Sequence, residues 1–278
     1  FQGGRAVADD LLNLKGKQVN IESTTVTSGD QHNGHTLVDR VAGLYVTGQS
    51  KGILSVDAEQ NLTARGAELS NSSASGQTRL ASREGNIDLG TVQTASHESQ
   101  GELGDRSHRH VHQSAEMGTS INTQGDVTVA AGGQVNIRQG SIESDQGNVT
   151  LFGKKGINIT EGRQTLDLDE AVYNKDQGLF SSSTRTSTYR RAHDEAVGSG
   201  IAGKQVTLIA DQDILIRGSN IVGDQQTQIS GHNIHIDAAT NRYTDNTFEQ
   251  TQKSGLTGSP KDGVASVGYS KSSHSLQQ

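Results

Sequence analysis

The chain has no cysteine, no tryptophan and a single proline, Pro260, in 278 residues. Without cysteine there is no disulfide framework and no thiolate metal site, and the chain is free of bonds that would hinder crossing a membrane unfolded. Aromatic residues make up 3% and apolar residues 30% of the sequence. That lies well below the ~45–50% of a typical globular domain, even though the latter figure counts glycine. No apolar run approaches the ~18–20 residues of a membrane span, and no signal peptide is recognisable. The formal net charge is −7, with no long block of Lys or Arg. This argues against a general affinity for nucleic acid or an anionic membrane. Phe1-Gln2-Gly3 resembles the remnant of an engineered protease tag and is set aside from fold reasoning. Residues 4–278 are read as one unit.

What is present is periodic. Low hydrophobicity by itself would predict disorder, yet Val and Ile recur here at fixed intervals. Ile121 is followed by Val127-x-Val129 and Val135-x-Ile137, then Ile142 by Val149-x-Leu151 and Ile157-x-Ile159. After a gap come Ile201, Val206-x-Leu208 and Ile214-x-Ile216, then Ile221, Thr227-x-Ile229 and Ile234-x-Ile236. Each apolar-x-apolar pair places two side chains on one face of a strand and a polar residue, such as Thr128, Asn136 or Thr150, on the other. Glycine-bearing steps such as Gly125-Asp126, Gly132-Gly133 and Gly147-Asn148 mark the corners. A helical reading fails, because the apolar positions do not recur at i, i+3, i+4 and i+7.

Three short strands per coil of about 20–22 residues, repeated, predict an all-β fold: a right-handed parallel β-helix, or solenoid. Each coil shares its buried row with its neighbours, so no coil is expected to fold alone. Weaker forms of the pattern occur earlier, at Leu54-x-Val56 with Leu62-x-Ala64 and at Thr78-x-Leu80 with Ile87-x-Leu89. Leu12-x-Leu14, Val19-x-Ile21 and Val26 read as a first coil. The coils are expected in pairs over 51–95, 120–160 and 199–240. Polar excursions are expected over 96–119, 161–198 and 241–278, with a further one over 31–50 that holds Leu44-x-Val46 as a partial strand. Excursions therefore follow every second coil. The alternation in Thr184-Arg185-Thr186-Ser187-Thr188-Tyr189 favours hairpins over loose loops.

Chemistry is sparse. His108, His110 and His112 alternate and would share one face of a strand, which is a spacing open to a zinc or copper site. The plainer reading, a polar hairpin arm, is preferred because Arg106 and Arg109 flank the run. Acidic pairs occur at Asp9-Asp10, at Asp167-x-Asp169 with Glu170, and at Asp211-x-Asp213. A glycosidase would need two carboxylates ~5–10 Å apart on one face, and neither matching acids on a neighbouring coil nor an aromatic platform is evident. Surface charge is the preferred reading. No residue is assigned a catalytic, cofactor-binding or metal-ligating role, and no cofactor is expected.

The run Gly140-Ser-Ile-Glu-Ser-Asp-Gln-Gly-Asn-Val-Thr-Leu151, followed by Gly156-Ile-Asn-Ile159, resembles the haemagglutinin repeat of filamentous-haemagglutinin-type exoproteins. Gly200–Ala210 with Asp213–Ser219 resembles it too, and Gln250-Thr-Gln-Lys-Ser-Gly-Leu256 resembles the segment that closes a repeat. The likeness runs from about 120 to 256 and is looser before that. It implies a large two-partner-secretion protein, exported through an outer-membrane transporter to the surface of a Gram-negative cell. In the CdiA-type proteins of contact-dependent growth inhibition, it implies a region that engages the target-cell envelope and supports delivery of a C-terminal toxin. In adhesin members it implies a fibre shaft that binds host cells. Neither a toxin domain nor an N-terminal secretion domain is recognisable, so flanking β-helix regions of the same protein are expected partners; nucleic acid is not, given the net negative charge. A polysaccharide-active β-helix enzyme is the remote alternative.

Overall fold

A computed structural model describes residues 1–102, 106–258 and 265–277. Residues 103–105, 259–264 and 278, which fall in the excursions expected over 96–119 and 241–278, lie outside the described residues.

The described residues wind through seven coils. Coil 1 holds β1 (Arg5–Ala8), β2 (Leu11–Gly16) and β3 (Val19–Glu22), and a hairpin follows, β4 (Thr24–Gly29) and β5 (Asn33–Arg40). Coil 2 is β6 (Gly43–Val46), β7 (Ile53–Ala58) and β8 (Leu62–Arg65). Coil 3 is β9 (Glu68–Asn71), β10 (Gln77–Ser82) and β11 (Ile87–Gly90), before the hairpin β12 (Val92–Gln100) and β13 (His108–Met117). Coil 4 comprises β14 (Ser120–Thr123), β15 (Asp126–Ala131) and β16 (Val135–Arg138). Coil 5 comprises β17 (Ser141–Ser144), β18 (Val149–Gly153) and β19 (Ile157–Thr160), and the hairpin β20 (Gly162–Gln177) and β21 (Ser181–Val197) follows. Coils 6 and 7 are β22 (Gly200–Ala210) with β23 (Ile214–Arg217), and β24 (Asn220–Ser230) with β25 (Ile234–Asp237). The last hairpin is β26 (Arg242–Gly258) and β27 (Ala265–Gln277).

Like strands of successive coils pair in parallel, giving three ladders of a parallel β-helix. In coils 6 and 7 the first two ladders share one long strand, bent by a register shift between Gly203 and Gln205. The inward rows align residue for residue: Val56, Leu80 and Val129 stack in the second ladder, and Ile87, Val135, Ile157 and Ile214 in the third. These side chains are almost fully buried in one continuous core. A coil needs few aliphatics because each is covered from above and below. Outward positions carry polar rows instead. Asn158 donates from its amide to Asn136 (2.8 Å), which in turn donates to Asp88 (2.7 Å).

Three expectations about the early coils are corrected. The first excursion is the hairpin over 24–40, ahead of the expected 31–50, and Val26 lies in it, half exposed. Leu44 and Val46 are buried coil residues, so the second coil begins at Gly43 and not near 51. Gly43 sits in register with Glu68, twenty-five positions on, because the corner after β6 is longer than those after β1 and β14. Buried Asn71 holds this longer corner by donating to the carbonyls of Gly52 (3.0 Å) and Gln77 (3.2 Å). Residues 1–3 also engage the solenoid: the Phe1 carbonyl accepts from the Glu22 amide (2.9 Å).

The four hairpins do not splay. They join side by side in one eight-stranded antiparallel sheet, in the order β27-β26-β21-β20-β13-β12-β5-β4. Geometry explains why this is possible. Two coils advance the solenoid by about 9.6 Å at ~4.8 Å per strand spacing, and one hairpin of two strands occupies the same width. A hairpin after every second coil is thus the interval at which neighbouring hairpins can hydrogen-bond without a gap.

Candidate functional site: the hairpin sheet and its roots

All four hairpins leave from one corner, between the third ladder and the first. Coils that turn this corner without a hairpin use a left-handed residue there: Gly66 (φ 55°), Gln139 (φ 48°) and Gly218 (φ 54°). Where a hairpin leaves, the interrupted backbone is satisfied by buried hydroxyls. The Thr119 hydroxyl donates to the carbonyls of Ala64 and Gly90, both at 3.0 Å. The Ser199 hydroxyl donates to Thr160 O (2.8 Å) and accepts from Gly140 N (3.0 Å). Ser23 does the same between Gly66 O and Ala42 N. A buried backbone group left without such a partner would cost about 1–3 kcal/mol.

A second device fastens the first three roots. The last residue of the third-ladder strand in coils 2, 4 and 6 is an arginine, and each meets a carboxylate at the hairpin base. Arg138 Nε donates to Glu116 at 2.6 Å, Arg217 Nε to Glu161 at 2.9 Å, and Arg65 lies 3.8 Å from Glu22. Burial pushes the Glu116 carboxyl up, but hydrogen bonds from Arg138 and Thr91 outweigh it and hold it below the usual range. Glu161 behaves alike: burial raises it, and the bond and charge of Arg217, with the charge of Arg163, bring it lower.

Beyond the roots the sheet is a single layer with water on both sides. Apart from Gly162 at the root of β20, only Gly34 and Ala171 of its described residues are buried, among residues of intermediate or full exposure. This is why the excursions are rich in Ser, Thr, Gln and His. Charge alternates by strand and supplies the cross-strand fit. Arg109 of β13 meets Glu98 of β12 (3.0 Å) and Glu170 of β20 (3.5 Å). Arg190 of β21 meets Asp169 of β20 (3.2 Å), and Arg191 meets Asp245 of β26 (2.9 Å). The Arg191 bond, joined by His193, lowers the Asp245 carboxyl against the opposing effect of burial.

His108 and His110 do share a face, with ring centroids 5.5 Å apart. His108, 8% exposed, reaches Asp169 at 3.3 Å. The buried Nε2 of His110 has no hydrogen-bond partner among the described residues, and His112 is exposed. Among the described residues no three such side chains stand close enough to hold a metal ion. The acidic pairs lie apart. Asp167, Asp169 and Glu170 are on the hairpin sheet, whereas Asp9-Asp10 and Asp211-x-Asp213 sit on corners of coils 1 and 6. At the far turn of the third hairpin, Leu179 and Phe180 are 95% and 70% exposed.

The sequence reading passed over the root arginines. Their signal was there: Leu62-x-Ala64-Arg65-Gly66, Val135-x-Ile137-Arg138-Gln139 and Ile214-x-Ile216-Arg217-Gly218 repeat one phrase. The carboxylates carry no such signal, because they reach the arginines only after the hairpin has folded back.

With the solenoid, its two-coil rhythm and the returning hairpins in view, part of the chain is matched to a known family. Residues 180–277 match the family model described as Hemagglutinin repeat. That stretch is haemagglutinin-repeat sequence. The matched stretch is one structural unit, from β21 through coils 6 and 7 to the final hairpin. The chain is also similar to "tRNA nuclease CdiA-2" of Burkholderia pseudomallei strain 1026b. The two are 27% identical over 208 residues, which is 70% of the chain and 6% of that protein. It is 27% identical over 164 residues to "16S rRNA endonuclease CdiA" of Enterobacter cloacae subsp. cloacae, covering 59% of the chain and 5% of that protein. Over 105 residues it is 30% identical to "tRNA nuclease CdiA" of Escherichia coli O6:K15:H31, covering 37% of the chain and 3% of that protein. The chain thus spans only a small part of these CdiA-type relatives, and the nuclease activities in their names are theirs. No solved structure matches.

Proposed function

We propose that this segment is a non-enzymatic scaffold in a large exported, cell-surface exoprotein, engaging the target-cell envelope and supporting delivery of a C-terminal toxin in contact-dependent growth inhibition. The observation that carries the proposal is the hairpin sheet. A solenoid with a continuous aliphatic core holds out a two-sided, hydrogen-bonding surface whose third hairpin ends in exposed Leu179 and Phe180. Such a surface has no internal packing role to account for its length, and recognition commonly resides on insertions that leave one side of a solenoid. The likeness to CdiA-type proteins supports the delivery role, and an outer-membrane transporter is the expected partner during export.

Flanking β-helix regions are proposed as further partners within the same protein. Ile234 and Ile236 stand in register with buried Ile214 and Ile216, yet Ile236 is 68% exposed, as a core row awaiting another coil would be. The alternative role is the shaft of an adhesin that binds host cells. The test replaces 162–197 in the full-length exoprotein with a short left-handed corner like that at Gln139. Killing of neighbouring bacteria should fall while surface display and adhesion to animal cells persist. Unchanged killing would remove the delivery role, and lost adhesion would favour the shaft reading.

A further inference from the structure

A groove of about 790 Å³ runs along the outside of the second ladder, away from the corner where the hairpins leave. Its floor is an outward row held in register from coil to coil: Lys15, Asp57, Ala81, Ala130 and Phe152. Ala81 and Ala130 leave the row hollow in the middle. Phe152 alternates with inward Val149 and Leu151, so its ring stands on the outer surface at one end of the hollow.

Charge around this groove runs against the rest of the molecule. Lys15 and Lys17 come from coil 1, Arg79 and Arg83 from coil 3, and Lys154 from coil 5. Only Asp57 and Glu59, both of coil 2, oppose them, and Asp57 is taken up by Arg79 and by the Ser55 hydroxyl (2.9 Å). Lys15, Lys17, Arg83 and Lys154 have no ion pair among the described residues, in a chain of net charge −7. On the hairpin sheet, by contrast, Arg109, Arg190 and Arg191 each meet a carboxylate of a neighbouring strand.

We infer that this groove binds a linear acidic saccharide, carboxylated, sulfated or phosphorylated at about every second sugar. The cations recur every second coil, which is about 10 Å along the axis. That spacing is of the order of a disaccharide unit. Double-stranded DNA is a poor match, since each strand carries a phosphate every ~3.4 Å of helix axis and most would go unmet. The apolar ring of Phe152 offers a face for the C–H side of a sugar ring, while the alanine floor lets a chain lie close to the solenoid. No pair of free carboxylates lines the groove, so it is fitted to hold such a chain and not to cut it. The site does not depend on the hairpins, and its test reads binding to the purified chain and not killing.

The experiment titrates the whole chain by calorimetry at ~50 mM salt, where exposed charges are screened only beyond roughly 14 Å. The probes are a heparin octasaccharide, a delipidated phosphorylated core oligosaccharide of lipopolysaccharide, and neutral dextran. At least one acidic probe should bind and dextran should not. Which acidic probe binds distinguishes a host glycan from a bacterial envelope source. The double variant Arg83→Glu, Lys154→Glu should weaken binding about tenfold or more by placing two repulsive charges against the ligand. Phe152→Ala should weaken it several-fold, and Lys204→Glu, an exposed cation outside the groove, should leave it unchanged. Binding of neither acidic probe overturns the inference, as does equal binding of dextran. So does wild-type affinity in the double variant or in Phe152→Ala.

Discussion

Inserting one extra coil between two hairpins should unzip the hairpin sheet while leaving the solenoid wound. A second copy of residues 120–140, placed after Gly140, adds one coil between the second and third hairpins. Its inward residues Ile121, Val127, Val129, Val135 and Ile137 would stack on their own copies much as they now stack on coil 5. The hairpins would then be three coils apart, and the spacing between β13 and β20 would grow from about 4.8 to about 9.6 Å. A hydrogen bond needs ~2.7–3.2 Å between heavy atoms. The eight facing pairs from His108↔Ala171 to Ala115↔Gln164 would therefore open, along with the 2.7 Å bond between Ser114 and Thr165. Antiparallel bonds alternate along a strand, so about four amides from each strand lose their acceptors. At a net ~0.5–1.5 kcal/mol each, some eight bonds represent about 4–12 kcal/mol of local stability. Amide hydrogen exchange followed by NMR reads this directly. Every second amide within 108–115 and 164–171 should exchange faster, while their alternates, which face β12 and β21, and the coil amides of Val127 and Val149 stay slow. Unchanged protection at the β13–β20 seam would refute the spacing rule.

Leu151 lies fully buried between Val129 and Leu208, so Leu151→Ala should destabilise the chain by about 2–5 kcal/mol in a urea titration. At Gly66 a Cβ would meet Val92 at 2.6 Å in a left-handed conformation. Gly66→Ala should therefore lose about 1–2 kcal/mol from the backbone alone and more from the contact, seen as a lower melting temperature. Glu116 and Glu161 have folded-state pKa values below their ordinary range. Their stabilisation is then complete above the unfolded value and is lost as pH falls through the lower folded value. Thermal midpoints should be level from neutral pH to about 5.5 and drop below about 4.5, and Glu161→Gln should flatten that drop at the expense of stability at pH 7. Brief chymotrypsin treatment should cleave first after Leu179 or Phe180, and early cleavage within 120–160 would contradict the coil assignment.

The period of Val and Ile over 120–160 and 199–240 was enough to read strands, inward faces, corners and the two-coil rhythm. Hydrophobic alternation states directly which side of a strand is buried, and every coil repeats the statement. The early coils were harder, since Ala6 and Ala8 of β1 and Ala64 of β8 carry the inward row with small side chains, and Val26 imitates it on a wet hairpin. What the hairpins do with one another was not legible. Both faces of their sheet meet water, so no apolar pattern fixes a register. The partners that fix it, such as Arg109 with Glu98 and Glu170, come together only because the solenoid sets successive hairpins one hairpin's width apart. The groove is likewise a product of stacking: Lys15, Arg83 and Lys154 are unremarked residues in the sequence and one cationic line on the folded surface. Local periodicity determined the coil. The distance between coils decided everything that lies across them.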